Sequence, residues 1–438
     1  MQNNLPTYTH YKPSGVQWLG DIPEHWKVKP GFTIISERKE KNIGLKINTV
    51  LSLSYGNVII KPEEKLTGLV PESFETYQIV YPNDIIIRPT DLQNDKTSLR
   101  TGLAKNHGII TSAYINILVK EGNNSSYLHY FFHCVDITKV IYGLGSGLRQ
   151  NLDFRDFKRF SFLVPPLSEQ TAIAQFLDRK TAQIDKAIDL KEKQIELLKE
   201  RRQILIHQAV TRGLNPDVPM KDSGIEWIGE IPAHWEVTQI KKIAQTTSGG
   251  TPPSGNIKEY YNGHIPWVRT TDLNNDELYD VPEKITDKAI RDTACKVVPV
   301  NTVCVAMYGG PGSIGKHSIL RFSATLNQAL CGIISSEKLY CEFLYYYVKF
   351  CRPYWMINAK GTRVDPNISQ DEVRKMSITF PPKSEQIAIA EHIKFLSKKI
   401  DTAIGLKEQE IEKLKEYKAS LINSVVTGKV KVTENPEG

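Results

Sequence analysis

No run of about 20 apolar residues interrupts this sequence, so nothing in it reads as a membrane-spanning helix. The opening MQNNLPTYTHYKPSG holds no apolar core and does not read as a signal peptide. The expected compartment is therefore cytoplasmic, with no membrane partner. Cysteine is sparse: Cys134, Cys295, Cys304, Cys331, Cys341 and Cys351 are all there are, none in a C-x-x-C pair and five in the second half. That distribution excludes a disulfide framework and a zinc site, leaving reduced, buried thiols. Charge of one sign is also limited. A net +7 permits nucleic-acid binding without demanding it.

Catalytic signatures are missing as well. GPGSIGK at 310–316 nearly spells a phosphate-binding loop. It is followed by His317 where Ser or Thr should hold magnesium, and SILRFSATL then reads as a strand, not a helix. GLGSG at 143–147 lacks a preceding strand and following helix, and reads as a loop. No Asn-Pro-Pro-Tyr or Asp-Pro-Pro-Tyr methyltransferase motif occurs. No catalytic residue, metal or cofactor is expected. His25 and His234, set beside Trp26 and Trp235, read as structural because no carboxylate or nucleophile is paired with them in sequence.

What the chain does have is duplication, which fixes architecture before anything else. SGVQWLGDIPEHWKV at 14–28 returns as SGIEWIGEIPAHWEV at 223–237 without a gap. PPLSEQTAIAQFLDRK…VT at 165–211 returns as PPKSEQIAIAEHIKFL…VT at 381–427, with about half of the aligned positions identical. The 438 residues are thus phrase, variable region, helix, twice over.

The second repeat reads as one long helix in each copy. Pro-Pro stops the preceding chain, and Ser168 and Ser384 stand where an N-cap belongs. Glu169 and Glu385 suit the positive end of the helix dipole, and Gly213 suits a C-cap. Leu177, Ile184, Leu198 and Leu205 fall on multiples of seven, with Lys191 in the gap. Ile393, Ile400, Leu414 and Leu421 repeat the series, with Lys407 in the gap. Ile188 and Ile195, matched by Ile404 and Ile411, make a neighbouring row. Such a seam calls for a partner helix, and the other copy is the expected one, paired antiparallel. Each rod of about 45 residues would be roughly 65 Å long. Glu192, Glu196 and Glu200, matched by Glu408, Glu412 and Glu416, form an i, i+4 acidic stripe. It is a solvated face relieved by Lys199 and Lys415, or a docking stripe for a basic partner.

Residues 30–160 and 240–380 mix short β-like runs such as NDIIIRP, GIITSAYINILV and VPVNTVCVAMYGG with the aromatic helical patches SSYLHYFFHCV and CEFLYYYVKFCRPYW. The aromatics recur at helical spacing and read as core. The fold class is α+β: two α+β domains joined by two long helices pairing as an antiparallel coiled coil. The expected boundaries are 1–164, 165–213 (first helix), 214–380, 381–430 (second helix) and a tail at 431–438. Both variable regions close alike, with Gly147, Arg149 and Asn151 in one and Gly361, Arg363 and Asn367 in the other. A short helix follows, capped by Asp153 or by Ser369 with Glu372.

This combination resembles the specificity subunit of type I restriction–modification enzymes. It carries tandem halves, IPEHW and IPAHW, PPLSEQ and PPKSEQ, and GGTPPSGNIKEYYNGHIPWVRTTDL at 249–273. The resemblance covers almost the whole chain. It implies two target-recognition domains, each reading half of a split double-stranded DNA site. It also implies helices that space them and dock two methyltransferase (modification) subunits, and a motor-nuclease restriction subunit that can join. By the same resemblance the chain itself is non-catalytic and binds no cofactor. The alternative is a non-catalytic two-domain protein scaffold without DNA specificity. An enzyme such as a nucleotide hydrolase is a third class, and it would need turnover by the chain alone.

Side chains able to reach phosphates or base edges are the candidates for DNA contact. In the first region they are Arg88, Thr90, Asp91, Arg100, Lys105, Ser112, Tyr114 and Arg149. In the second they are Arg269, Thr270, Thr271, Asp272, Tyr308, Ser313, Lys316, His317, Asn327, Gln328 and Arg363.

Overall fold

The repeated phrase folds the same way each time because it carries its own turn chemistry. Tyr11–Pro13 pairs antiparallel with Asp21–Pro23, and Met220–Asp222 with Glu230–Pro232. Between the strands Ser14 and Ser223 accept from the backbone N–H of Val16 and Ile225. The phrase ends in a tryptophan, Trp26 or Trp235, with no exposed surface. The structure, a computed structural model, describes residues 6–62, 64, 73–95, 98–145, 150–309, 312–358 and 367–432. Its chain forms two compact units, Met1–Lys191 with Glu408–Gly438, and Glu192–Lys407.

In the first unit a four-stranded antiparallel sheet runs in the order Ile35–Glu37, Ile115–Val119, Ile85–Ile87, Thr101–Leu103. The all-isoleucine strand at 85–87 is fully buried, as an interior strand requires. Helix α1, Ser125–Ile137, is capped by the Asn124 side chain and buries Tyr127, Tyr130, Phe131 and Phe132, so these aromatics are core as expected. Helix α2, Phe154–Lys158, starts in a capping box made by Asp153 and Asp156. Ser161–Val164 then pairs with Lys27–Pro30 and leads into α3, Leu167–Arg212.

The second unit keeps this frame around a larger centre. A five-stranded sheet is ordered Ala244–Ser248, Leu330–Ser335, Val303–Ala306, His317–Leu320, Glu277–Leu278. A four-stranded one is ordered Lys284–Ile285, Tyr261–Val268, Ala324–Leu326, Val297–Val298. Two of their strand pairs are parallel. Helix α4, Cys341–Asn358, supplies Phe343, Tyr347 and Cys351 to the core. Helix α5, Gln370–Lys375, has the Ser369–Glu372 capping box, and α6, Lys383–Val426, is the second long helix. The strand at 317–320 is what the sequence required in place of a phosphate-loop helix.

The long helices pair antiparallel within each unit. In the first, Lys418 meets Asp185 at 2.7 Å and Lys191 meets Glu410 at 2.6 Å, so partners recede along α6 as α3 advances. In the second, Arg202 meets Asp401 at 2.6 Å while residues 206–210 share a core with 389–393. Leu177, Ile184, Ile188, Ile195, Ile393, Ile400, Ile411 and Leu421 are buried; Leu198, Leu205 and Leu414 are partly covered. Lys191, the interruption in the first seam, takes the carboxylate of Glu410 instead of a hydrophobic neighbour.

One expectation about these helices fails. Ser168 and Ser384 are not caps: both lie inside helices that begin at Leu167 and Lys383, and both are exposed. The first helical bonds go to the carbonyls of Pro166 and Pro382. Glu169 and Glu385 carry the real work of the helix start. Glu169 accepts from Trp26 Nε1 at 2.8 Å and contacts His25 Nε2 at 2.5 Å; Glu385 does the same with Trp235 at 2.9 Å and His234 at 2.8 Å. The two histidines therefore do have a carboxylate, brought by the start of the long helix in the same unit. At the other ends Gly213 and Gly428 adopt φ of +74° and +75°, and a Cβ on Gly428 would lie 2.4 Å from Pro23. Five of the six cysteines are buried free thiols and Cys341 is partly exposed. Among the described residues no helix is long and apolar enough to cross a membrane.

Candidate nucleic-acid interface

In the first unit Arg88, Thr90 and Asp91 lie on the loop after strand 85–87. Arg88 pairs with the side chain of Asp95, and Asp91, at φ +62°, donates its N–H to Asn151 Oδ1 at 3.0 Å. The shared closing loop therefore braces the 88–95 loop. Thr90 and Lys105 are exposed. Ser112 is exposed with its hydroxyl on the Thr76 carbonyl. Tyr114 is half-buried against Leu51, Val58 and Ile86, and that burial raises its phenol above the usual range. Gln78 Nε2 donates to the carbonyls of Tyr114, at 2.7 Å, and of Thr111, fixing the turn that carries Ser112.

Arg100 departs from the sequence expectation. It has no exposed surface, and its guanidinium donates to the carbonyls of Thr90 at 2.7 Å, Asp91 at 3.1 Å and Asp95. Its backbone N–H donates to Asp136 at 2.6 Å. It cannot reach a phosphate from there; it is the post around which the 88–95 loop is wound. Arg149 and Arg363 lie outside the described residues.

In the second unit four loops converge. Tyr308 donates its hydroxyl to the Gln328 carbonyl at 3.0 Å, and Thr251 donates to the Gln328 side chain. Gly250 N–H donates to the Leu326 carbonyl, and Asn327 N–H to the Val268 carbonyl, both at 2.9 Å. A Cβ on Gly309 would meet Ser313 at 2.8 Å and Thr270 at 3.3 Å, so those residues are neighbours too. Thr251, Thr271 and Gln328 are exposed, while Thr270, Ser313 and Lys316 are partly so. Asn327 Oδ1 is buried without a partner among the described residues. Arg269 is held at its base: its N–H donates to Asp272 at 2.8 Å, and its side chain spans Asp272 and Glu283 at 3.3 and 3.4 Å. Asp272 thus positions Arg269 rather than facing outward.

His317 is the second departure. It sits in the strand at 1% exposure, with Nδ1 3.0 Å from the Gly315 carbonyl, and burial pushes its pKa down to about 4. A neutral, covered imidazole makes no phosphate contact. Sequence reading missed Thr251. The signal was the Gly249-Gly250 pair before it, because a Cβ on Gly249 would lie 2.0 Å from the Leu326 carbonyl and only glycine passes there.

The helical glutamates 192, 196, 200, 408, 412 and 416 are all exposed. Lys199 is 2.9 Å from Glu196 and Lys415 is 2.8 Å from Glu412. On each helix a lysine therefore partly neutralises the exposed carboxylates.

A duplicated frame that holds two unlike sets of polar loop residues, with Thr90, Ser112, Thr251, Thr271 and Gln328 exposed and Arg88 and Arg269 partly so, defines a tandem binding protein with two unlike loop surfaces. The chain matches the type I restriction modification DNA specificity domain over residues 21–200 and again over 232–416, and it belongs to that family. It is the non-catalytic DNA-specificity component of a type I restriction–modification system, with DNA and the other subunits of such a system as partners. The type I restriction enzyme MjaVIII specificity subunit of Methanocaldococcus jannaschii is 26% identical over 428 residues, covering 94% of each chain. Two solved structures share the fold. One is a chain solved in connection with complex assembly and conformational transition of the type I R-M system, with TM-score 0.70, 12% identity, and coverage of 92% of this chain and 98% of that one. The other is the HsdS subunit from Thermoanaerobacter tengcongensis, with TM-score 0.54, 13% identity, and coverage of 93% and 98%.

Proposed function

We propose that the chain reads a bipartite, asymmetric double-stranded DNA site in the cytoplasm, one half with each variable region. The observation that carries this is the frame common to both units, which holds loops that differ in nearly every outward polar group. One frame used twice with one set of loops would read a palindrome; different loops read unlike halves. Thr90, Lys105, Ser112 and Arg88 serve the first half. Thr251, Arg269, Thr270, Thr271, Ser313, Lys316 and Gln328 serve the second, with Tyr308, Asn327 and Asp272 shaping the loops. Arginine suits guanine and Gln or Asn suits adenine. Half-sites on one face of B-DNA lie about 34 Å apart centre to centre.

The long helices act as the ruler between the halves and as the dock for two methyltransferase subunits, through which a motor-nuclease subunit joins. The exposed glutamates of both helices face that partner. Reversing charge at Glu196 and Glu412 should weaken methyltransferase assembly, read by co-purification; intact assembly would remove the glutamates from the dock.

The test of the whole reading is a spacer series. Duplexes with gaps of increasing length between half-sites are titrated with the wild-type chain and with a variant lacking one heptad from each long helix. A shifted gap optimum is expected. An unchanged optimum would defeat the ruler. Binding without a steep fall in log K against log salt would defeat the DNA reading itself.

A further inference from the structure

In the second unit, beside the segment 312–317, α3 and α4 wall a cavity of about 560 Å³. Three basic side chains line it: Arg202 from α3, and Lys349 and Arg352 from α4. Among the described residues Arg202 is the one of the three in an ion pair, with Asp401 at 2.6 Å. Lys349 Nζ reaches the Asn275 carbonyl at 3.5 Å and the Tyr345 hydroxyl at 3.4 Å, both long for an ammonium. Burial, and then the charge of Arg202, push Lys349 below the usual amine range, and Asp276 and Asp401 oppose that shift. Among the described residues Arg352 donates to the Gly312 carbonyl at 3.4 Å. A half-buried cation whose hydrogen bonds are this long carries unspent donors.

The rest of the wall is flat and partly apolar. His207 stacks on Phe350 at 4.8 Å and 12°. His317, whose Nε2 is buried without a partner among the described residues, lines the same cavity.

The first unit shows that the frame does not need this charge. Gln170 and Gln386 make the same hydrogen bond, to the N–H of Asn124 and of Tyr340, so α1 and α4 are in register with each other and with the long helices. In that register Arg202 and Asp401 correspond to Lys418 and Asp185, which form the same ion pair. Lys349 corresponds to His133, whose burial lowers its pKa to about 3, and Arg352 corresponds to Asp136. His207 corresponds to Asn423, which accepts from Cys134 at 3.3 Å. Helix pairing in the first unit, through Lys418 and Lys191, therefore needs no cation at the positions of Lys349 and Arg352. The two additional cations are particular to the second unit and answer to something else.

We propose that this cavity is a phosphate-ester site of mononucleotide size, with Lys349, Arg352 and Arg202 holding the phosphate and the His207–Phe350 stack receiving a planar ring. The volume lies within the range that encloses a small ligand. A phosphate accepts several charge-assisted hydrogen bonds at once, which is what two under-used cations and a third at the rim offer. The proposal does not depend on which DNA sequence the loops read.

Isothermal titration of the full chain, at fixed ionic strength, with inorganic phosphate, adenosine 5′-monophosphate and adenosine tests it. The first two should bind and adenosine should not. Lys349→Met and Arg352→Gln should each weaken the monophosphate by about tenfold or more, the loss expected for a hydrogen bond to a charged group. Lys375→Gln, which removes an exposed cation elsewhere in the unit, should bind as wild type. Arg352 is partly exposed, so a thermal midpoint near wild type for that variant separates lost binding from lost folding. Repeating the titration on the chain saturated with duplex identifies the source. Undiminished binding assigns a free ligand; competition, with duplex affinity also reduced in both variants, assigns a backbone phosphate of the DNA. Failure of phosphate and monophosphate to bind the wild type, or equal binding by the variants, overturns the site.

Discussion

Arg100 and an exposed lysine such as Lys105 look alike in sequence, since both are cations in a loop-rich stretch between strands. The difference is what the donors find. The carbonyls of Thr90, Asp91 and Asp95 point inward around Arg100 and saturate its guanidinium, so the chemistry that would have met phosphate oxygens meets backbone oxygens instead. Arg100→Ala would strand those carbonyls in a dry interior. We expect a loss on the order of 3 kcal/mol, visible as a lower urea midpoint, whereas Lys105→Ala should fall within about 0.5 kcal/mol of wild type. His317 gives a pH signature at the same scale. Its folded pKa of about 4 lies below the 6.5 of the free side chain, so between those values the unfolded chain binds the extra proton. Its contribution is complete above pH 6.5 and is lost as pH falls toward 4. In His317→Gln, stability should decline less steeply over that window, by about 1.4 kcal/mol per pH unit, measured by denaturant titration at several pH values.

The long helices were legible because a seven-residue period is written in sequence and needs no tertiary context. What was not legible was how they begin. A serine before an acidic residue has the pattern of a cap, but the proline carbonyls take that position. Glu169 and Glu385 instead turn their carboxylates to the Trp–His pair of the repeated phrase. That contact joins segments more than a hundred residues apart, which local pattern cannot reveal. The depth of each seam position was equally hidden: Ile400 is 8% exposed, while Leu198, at a matching heptad position, is only partly covered. Ile400→Ala should therefore cost roughly 2–4 kcal/mol and Leu198→Ala distinctly less, because the cavity term applies only where neighbours cannot relax into solvent. Equal losses in chemical denaturation would mean that the seam is uniformly dry.

At the scale of the whole molecule, duplication followed by divergence accounts for what was readable and what was not. The frame is doubled, so it announced itself: IPEHW and IPAHW, PPLSEQ and PPKSEQ, the closing loops and the capped short helices all recur. The reader loops are single-copy by necessity, because their task is to differ, and a single sequence holds nothing to compare them with. The place of Thr251, the buried Asn327 Oδ1 and the Arg269–Asp272 clamp depend on four loops meeting, which no one stretch of sequence shows. Each unit has its own hydrophobic core: Val303, Ile319, Ile333 and Phe343 in one, Leu51, Val58, Val80 and Ile110 in the other. Reading errors should then stay local to one unit. Gln328→Ala and Arg269→Gln should relax discrimination at one half-site by about 1–3 kcal/mol and leave the other half as strict as before. The measurement is methylome sequencing of cells that express each variant with the modification subunits. A motif degenerate in one half only is the expected result. Degeneracy in both halves would mean that the two readers share their specificity through a common element, and the division of labour inferred from the duplicated frame would fall.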